Sequence, residues 1–377
     1  MRLDALRLRN FRNIAAADLA LRGRCTVVLG ANGHGKTNLL EAVHLLCLTK
    51  AFRTHRLSQL TRRAAGTSGQ EGPPDGEGSG EARFRVEGDF LTTRRGRRQA
   101  RAWVQEGTLV FDLDGTRCRG RDYFGQLPLV LLSPERLDIS QGGPDERRRT
   151  LDRLLSAASP LYLDHLLRYQ RALRQRAALL DQGGTAPELE LWERQMAHSG
   201  LELTRQRRDF SAALAGDLRL VHETHFQPAS GFRLGYQPSL DPEGDEERCL
   251  AAWSAGREAD ARRGWATLGP HRDEYPVRLD GLSLRSFGSQ GQHKLFVLCL
   301  ALAETRLLHS WTGEAPLLLL DDLFGLLDDD KIRALASAVD PGLQVLISTT
   351  SLRHLEVLGE GAQVLFCENG SYRELAA

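Results

Sequence analysis

The chain has 377 residues, of which 41% are apolar, 26% charged and 6% aromatic, a composition that belongs to globular proteins and suffices for two or three packed units. The formal net charge is only +1, so any nucleic-acid surface has to come from local clustering of charge. Six scattered cysteines without a C-x-x-C pair speak against a zinc site and for a reducing compartment. No apolar run reaches the ~18 residues of a membrane span and the N-terminus has no signal-peptide core, so a soluble, cytoplasmic protein is expected.

Residues 1–30 read as a strand hairpin leading into a buried strand, Cys25-Thr26-Val27-Val28-Leu29. Next comes Gly30-Ala31-Asn32-Gly33-His34-Gly35-Lys36-Thr37, then Asn38 and an apolar helix over 37–48. This is G-x-x-x-x-G-K-[ST] in the setting it requires, with a strand before and a helix after. The glycines let the loop curl so that backbone N–H groups cradle phosphate oxygens. Lys36 would reach the β- and γ-phosphates, and the Thr37 hydroxyl would ligate Mg²⁺. Only four lysines stand against 46 arginines in the chain, which makes a chance match rare.

Residues 65–81 are rich in Gly, Pro, Ser and Glu and read as a flexible or disordered insertion. Strand alternation resumes at 84–86, 102–104 and 109–111, and Val130-Leu131-Leu132 is a short buried strand. Arg94, Arg95, Arg97, Arg98 and Arg101 cluster at a predicted hairpin turn, with Arg117, Arg119 and Arg121 nearby. Guanidinium groups pair well with phosphate, so this is either a DNA-binding patch or a solvated hairpin in an arginine-rich protein. From 145 to about 226 the apolar residues recur at helical spacing. Breaks at Ser159-Pro160 and Gln182-Gly183-Gly184 divide this stretch into two or three antiparallel helices. Arg147 and Arg148, with Arg149, open this helical lobe and are a second candidate DNA contact.

A strand is expected at 274–279, a Gly/Ser loop at 286–292 and an apolar helix at 294–308. Leu317-Leu318-Leu319-Leu320 then runs into Asp321-Asp322, and further strands follow at 343–348 and 363–367. Strand–helix alternation at both ends implies one α/β sheet built from distant segments, divided as 1–142, 143–262 and 263–377. Acids at the carboxyl end of a buried parallel strand would emerge beside the phosphate loop. Asp321 would hold Mg²⁺ there, and Asp322 would orient or deprotonate an attacking water, unless the pair merely caps the next turn. Ser289-Gln290-Gly291-Gln292 opens a helix with a hydroxyl and backbone N–H groups suited to an anion, or is an ordinary N-cap.

Phosphate loop, distant Ser-x-Gly-Gln loop, acidic strand and then Leu327-Asp328 is the order of ABC-type ATPases. The chain resembles the RecF family, the recombination-mediator ATPases of the SMC-like branch of that class. The resemblance rests on Arg9-Asn10-Phe11-Arg12-Asn13, on residues 30–38, and on Gly143-Pro144 with Arg147-Arg148-Arg149 and Leu151-Asp152. It rests further on Gly269-Pro270-His271-Arg272-Asp273, on residues 289–292 and on Leu319-Leu320-Asp321-Asp322. It covers nearly all of the chain outside 65–81.

The resemblance implies an ABC-type ATPase head assembled from the N- and C-terminal segments, with an inserted helical lobe, using ATP and Mg²⁺. Arg12, Asn13 and residues 30–38 would hold the nucleotide, with Thr37 and Asp321 at the metal. Lys36, Asp322 and Glu135 would serve hydrolysis, Glu135 standing for a glutamine usual in the class. Ser289, Gln290, Gly291, Gln292 and Asp328 would complete the nucleotide site of a second copy. Two departures, Asp322 where glutamate is usual and Thr350 where a switch histidine is expected, imply slow turnover. The implied activity is a slow, DNA-dependent ATPase of recombinational repair and replication restart. Its ATP-bound homodimer would clamp DNA near single-strand gaps and promote recombinase loading with RecO and RecR. An SMC-type chromosome ATPase would need hundreds of coiled-coil residues. A transporter's ATP-driving subunit would lack the block at 269–273, and a GTPase would need N-K-x-D, which does not occur.

Overall fold

The computed structural model describes residues 1–54, 56–62, 84–226, 231–322, 329–351 and 361–375. The insertion expected at 65–81 and Asp328 lie outside the described residues. Two compact units emerge, one of Met1–Arg136 with Leu308–Ala377 and one of Leu137–Leu307.

In chain order the first unit starts with β1 (Arg2–Phe11), β2 (Ile14–Ala20), β3 (Cys25–Leu29) and α1 (Lys36–Leu48). There follow β4 (Arg85–Thr92), β5 (Gly96–Gln105), β6 (Thr108–Leu113), β7 (Thr116–Cys118), α2 (Gly120–Tyr123) and β8 (Leu129–Leu132). The second unit holds α3 (Asp138–Gln141), α4 (Pro144–Ala158), α5 (Pro160–Asp181), α6 (Ala186–His225), β9 (Phe232–Leu234) and α7 (Glu246–Arg263). It continues with β10 (Val277–Leu279), β11 (Leu282–Ser283), α8 (Leu284–Phe287) and most of α9 (Gln290–Thr312). The chain then returns to the first unit with β12 (Leu317–Asp321), α10 (Asp329–Ala338), β13 (Val345–Thr349), β14 (Gln363–Glu368) and β15 (Ser371–Leu375).

Every residue of α1 from Leu39 to Leu48 is buried. A helix buried on all sides belongs inside a protein, and α1 packs against both sheets of its unit. One is antiparallel, in the order β2-β1-β4-β5-β6-β7. The other runs β15-β14-β3-β13-β12-β8 and is parallel except for its β15 edge. The four leucines of β12 are buried, as a strand covered on both faces requires. This is the α/β head built from distant segments that the sequence leads one to expect.

The antiparallel sheet keeps Val86, Phe90, Ala100, Ala102 and Phe111 on its inner face. Its other face carries a row of register partners with alternating charge, namely Asp18, Arg7, Glu87, Arg101, Asp112 and Arg117. Opposite charges facing across strands stabilise the sheet and cancel its field.

In the second unit the helix breaks fall where the capping chemistry stands. Ser159 ends α4 and accepts the Tyr162 N–H at the start of α5, while Thr185 and Glu188 form a capping box on α6. Asp273 is fully buried and accepts from Arg207 (2.8 Å), Tyr236 (2.6 Å) and the Ser239 N–H (2.8 Å). Arg207 also reaches Asp152, Tyr162 and the Pro270 carbonyl. The Gly-Pro-His-Arg-Asp block is therefore the knot joining α4, α5 and α6 to the strand-bearing part of this unit. Gly269 has φ of +132°, and a Cβ there would lie 2.2 Å from the Tyr169 hydroxyl, so only glycine fits.

That knot moves a boundary. Residues 263–307, expected with the C-terminal ATPase half, pack with the helical lobe, because Glu274 pairs with Arg147 and His293 bonds Ser140. The strand expected at 274–279 is confined to β10, and α8 occupies part of the expected Gly/Ser loop. α9 begins at Gln290, four residues early, and the sequence reading missed α7 altogether. By length and composition α9 is apolar enough to cross a membrane, but 67% of its most apolar window is buried in the protein.

Candidate nucleotide site

The parallel sheet brings the carboxyl ends of β3, β8, β12 and β13 together, the edge where α/β sheets bind ligands. β3 ends in the phosphate loop. Gly33 (φ +82°) and Gly35 (φ +114°) take left-handed conformations that turn the backbone tightly before α1. Gly30 donates its N–H to the Thr349 carbonyl at 3.2 Å, tying the loop to β13, and a Cβ at Gly30 would come within 2.3 Å of the Cys367 oxygen. Ala31, Asn32 and Gly33 are exposed at the tip. Lys36 is 6% exposed and donates to the Ala31 carbonyl at 2.9 Å, laying its ammonium across the loop. Burial lowers its pKa, against the attraction of Asp322 and Asp321.

The loop is held from behind. The His34 carbonyl accepts from Asn13 Nδ2 (3.0 Å), the Gly370 N–H (2.8 Å) and Cys367 Sγ (3.2 Å), and the Gly35 carbonyl accepts from Tyr372 (2.9 Å). Asn38 Nδ2 in turn donates to Asn13 Oδ1 at 2.8 Å. Those bonds fix the His34 and Gly35 carbonyls and with them the curl of the loop. Asn13 and Asn38, expected at the nucleotide, thus act on the loop's rear. Arg12 is likewise engaged within the protein. Its guanidinium forks onto Glu41, a fully buried α1 carboxylate, at 2.7 and 2.8 Å.

Thr37 Oγ1 donates to Asp321 Oδ1 at 2.9 Å, which unites the two residues assigned to the metal. Asp321 is 4% exposed, and burial raises its pKa against the hydrogen bonds of Ser348 and Thr37; Glu135 raises it further and Arg53 lowers it. A hydroxyl and a carboxylate are hard oxygen donors, the set that Mg²⁺ takes beside phosphate oxygens and water, so the residues fit the ion. Asp322 is exposed and has φ of +51°, unusual for a non-glycine residue. Glu135 follows β8, whose Leu132 pairs in register with Leu320, and is exposed beside the acids.

In the second unit Ser289 and Gln292 cap α9 reciprocally, with the Ser289 N–H donating to Gln292 Oε1 (2.7 Å) and the Gln292 N–H to Ser289 Oγ (3.3 Å). Gln290 accepts from Gln141 at 3.1 Å. Ser289, Gln290 and Gly291 are exposed at the helix N-terminus, where an anion is favoured.

The arginines expected at DNA divide into two sets. Arg147 is buried and paired with Glu274 and the Gly142 carbonyl, and Arg148 is bound to Asp145 and the Asp273 carbonyl, so the fold withdraws both from that role. Arg98 is paired with Asp114, and Arg101 stands in the alternating row. Arg94, Arg95 and Arg97 remain exposed at the β4–β5 turn. Arg94 and Arg95 bond only neutral oxygens, of Thr312 and Gln126, through their side chains, and Arg97 has no ion pair among the described residues.

Sequence reasoning missed Arg53, Ser348, Cys367 and Tyr372. None carries a motif. Their places follow only from strand register and from the return of the chain's end beside β3.

A family profile described as the RecF/RecN/SMC N-terminal domain matches residues 2–372. The DNA replication and repair protein RecF of Salinibacter ruber is 37% identical over 88% of this chain and 80% of its own length. The RecF of an Anaeromyxobacter species is 37% identical over 94% of each. The chain belongs to the RecF family. Among solved structures, the recombination mediator RecF with ATP, in the RecFOR pathway, superposes on this RecF-family chain with a TM-score of 0.86 at 26% identity. That match covers 99% of this chain and 97% of the other. An SMC head bound to the winged-helix domain of ScpA matches at 0.56 and 16% identity, a likeness of fold.

Proposed function

We propose that this RecF-family chain is a cytoplasmic recombination mediator of the RecFOR pathway, gated by Mg²⁺–ATP and acting with RecO and RecR. The observation that carries the nucleotide reading is the meeting of Lys36 and Thr37 with Asp321 and Asp322 on one sheet edge. Lys36 and the loop N–H groups neutralise and orient the phosphates. Thr37 and Asp321 hold the metal, which when bound draws charge from the phosphate oxygens. Asp322, with Glu135 beside it, orients the attacking water and takes its proton. Aspartate is one methylene shorter than the usual glutamate, so this alignment is poorer and hydrolysis is slow.

Ser289 and the α9 N-terminus serve the nucleotide of a second copy, so that ATP closes a homodimer. Arg94, Arg95 and Arg97 supply salt-sensitive contacts to DNA near single-strand gaps, and DNA stimulates hydrolysis. Light scattering without nucleotide, with ADP and with ATP tests the gate. Dimers are expected with ATP alone and are lost in Lys36→Met and Ser289→Arg, the latter still binding ATP. A Lys36→Met protein that dimerises with ATP would overturn the reading.

A further inference from the structure

Ser348 is the penultimate residue of β13 and is fully buried, yet among the described residues its hydroxyl serves nothing on its own strand. It donates to Asp321 Oδ1 at 2.6 Å and accepts the Asp322 N–H at 3.0 Å. A serine hydroxyl has one proton to give and lone pairs to receive, and here both functions go to the two acids of the neighbouring strand. We infer that Ser348 is a positioning residue that fixes Asp321 and Asp322 together, an inference that rests on the Mg²⁺–ATP reading above.

The geometry explains why one residue can govern both. Asp321 Oδ1 also accepts from Thr37. When the Thr37 hydroxyl serves the metal instead, the Ser348 bond is what still holds the carboxylate in its plane. The Asp322 N–H bond pins the backbone at φ of +51°, a conformation that a non-glycine residue keeps only when its surroundings fix it. That φ sets the direction in which the Asp322 side chain leaves the strand. Removing the hydroxyl frees both acids while leaving the phosphate loop untouched.

The test is a Mg²⁺ titration of fluorescent ATP-analogue binding, alongside single-turnover hydrolysis. Ser348→Ala is expected to shift the Mg²⁺ midpoint about tenfold upward, the size of a lost hydrogen bond to a charged group, and to slow hydrolysis at saturating Mg²⁺. Analogue binding without Mg²⁺ stays at the wild-type level. Ser348→Thr and Ser348→Val have nearly the same shape and differ in the hydroxyl. Thr is expected to behave as wild type and Val as Ala, which separates hydrogen bonding from packing even if Ala folds poorly. An unchanged midpoint and rate in Ala, or Thr and Val alike, would overturn the inference. Failure of the wild type to bind the analogue, or equal binding by Lys36→Ala, would instead sink the nucleotide reading itself.

Discussion

Arg9 and Arg12 lie three residues apart and each forms an ion pair, yet their surroundings make them unequal. Arg9 meets Asp18 at 2.8 Å with both side chains about half exposed, where water screens the pair. Arg12 forks onto Glu41, whose carboxylate has no exposure at all. Truncating Arg12 would strand a buried charge, at a cost of about 3–5 kcal/mol, whereas Arg9→Ala should cost under about 1 kcal/mol. Urea unfolding of the two variants checks this contrast; equal losses would refute it. The sequence makes Arg12 conspicuous through its family motif, but it does not show which partner the side chain takes. That depends on Glu41 turning inward on a helix that is buried all round.

At the scale of elements, the 269–273 block decides how the helical unit coheres. His271 sits between the Tyr169 hydroxyl (2.7 Å) and the Ala266 carbonyl (3.0 Å), so the ring donates from Nε2 and accepts at Nδ1. Burial pushes its pKa down to about 4, and Arg272, Arg148 and Arg207 push the same way, against the Ala266 carbonyl. The folded protein therefore keeps the ring neutral where the unfolded chain takes up a proton. Its contribution to stability is complete above pH 6.5 and is lost as pH falls toward 4, by about 3 kcal/mol. Unfolding followed by tryptophan fluorescence across that range should show the loss, and His271→Gln should flatten it. A wild-type slope that persists in the variant would exclude His271 as the source. The block's diagnostic value is legible in the sequence, but the partners that bury it are not. The helices themselves were legible because Pro160, Thr185 and the Gly183 turn punctuate them. α7 was missed because its apolar residues follow no clear stripe, only Cys249 and Trp253 among them being buried.

For the molecule as a whole, near-neutral charge and arginine richness are reconciled by pairing. One row of register partners across the antiparallel sheet alternates in charge, and at the β4–β5 turn the side chains of Arg94, Arg95 and Arg97 meet no carboxylate among the described residues. Arg95→Ala and Arg97→Ala should weaken binding to gapped duplex and lower the slope of log affinity against log salt, by about one for each phosphate no longer neutralised. Arg101→Ala should change neither, and a loss there as large as at Arg97 would refute the division. Sequence proximity grouped all these arginines together. Strand register, which no single segment reveals, separates them.

The placement of β3 has a consequence for the order in which this protein can be made. Both of its neighbours, β13 and β14, come from beyond residue 344, although the phosphate loop itself is complete by residue 37. A nascent chain that has reached Asp340 carries the whole loop sequence and neither strand that flanks it. Gly370 and Tyr372, which brace the loop from behind, emerge later still. On the nucleotide reading proposed above, the site therefore takes shape only when β13 and β14 join β3.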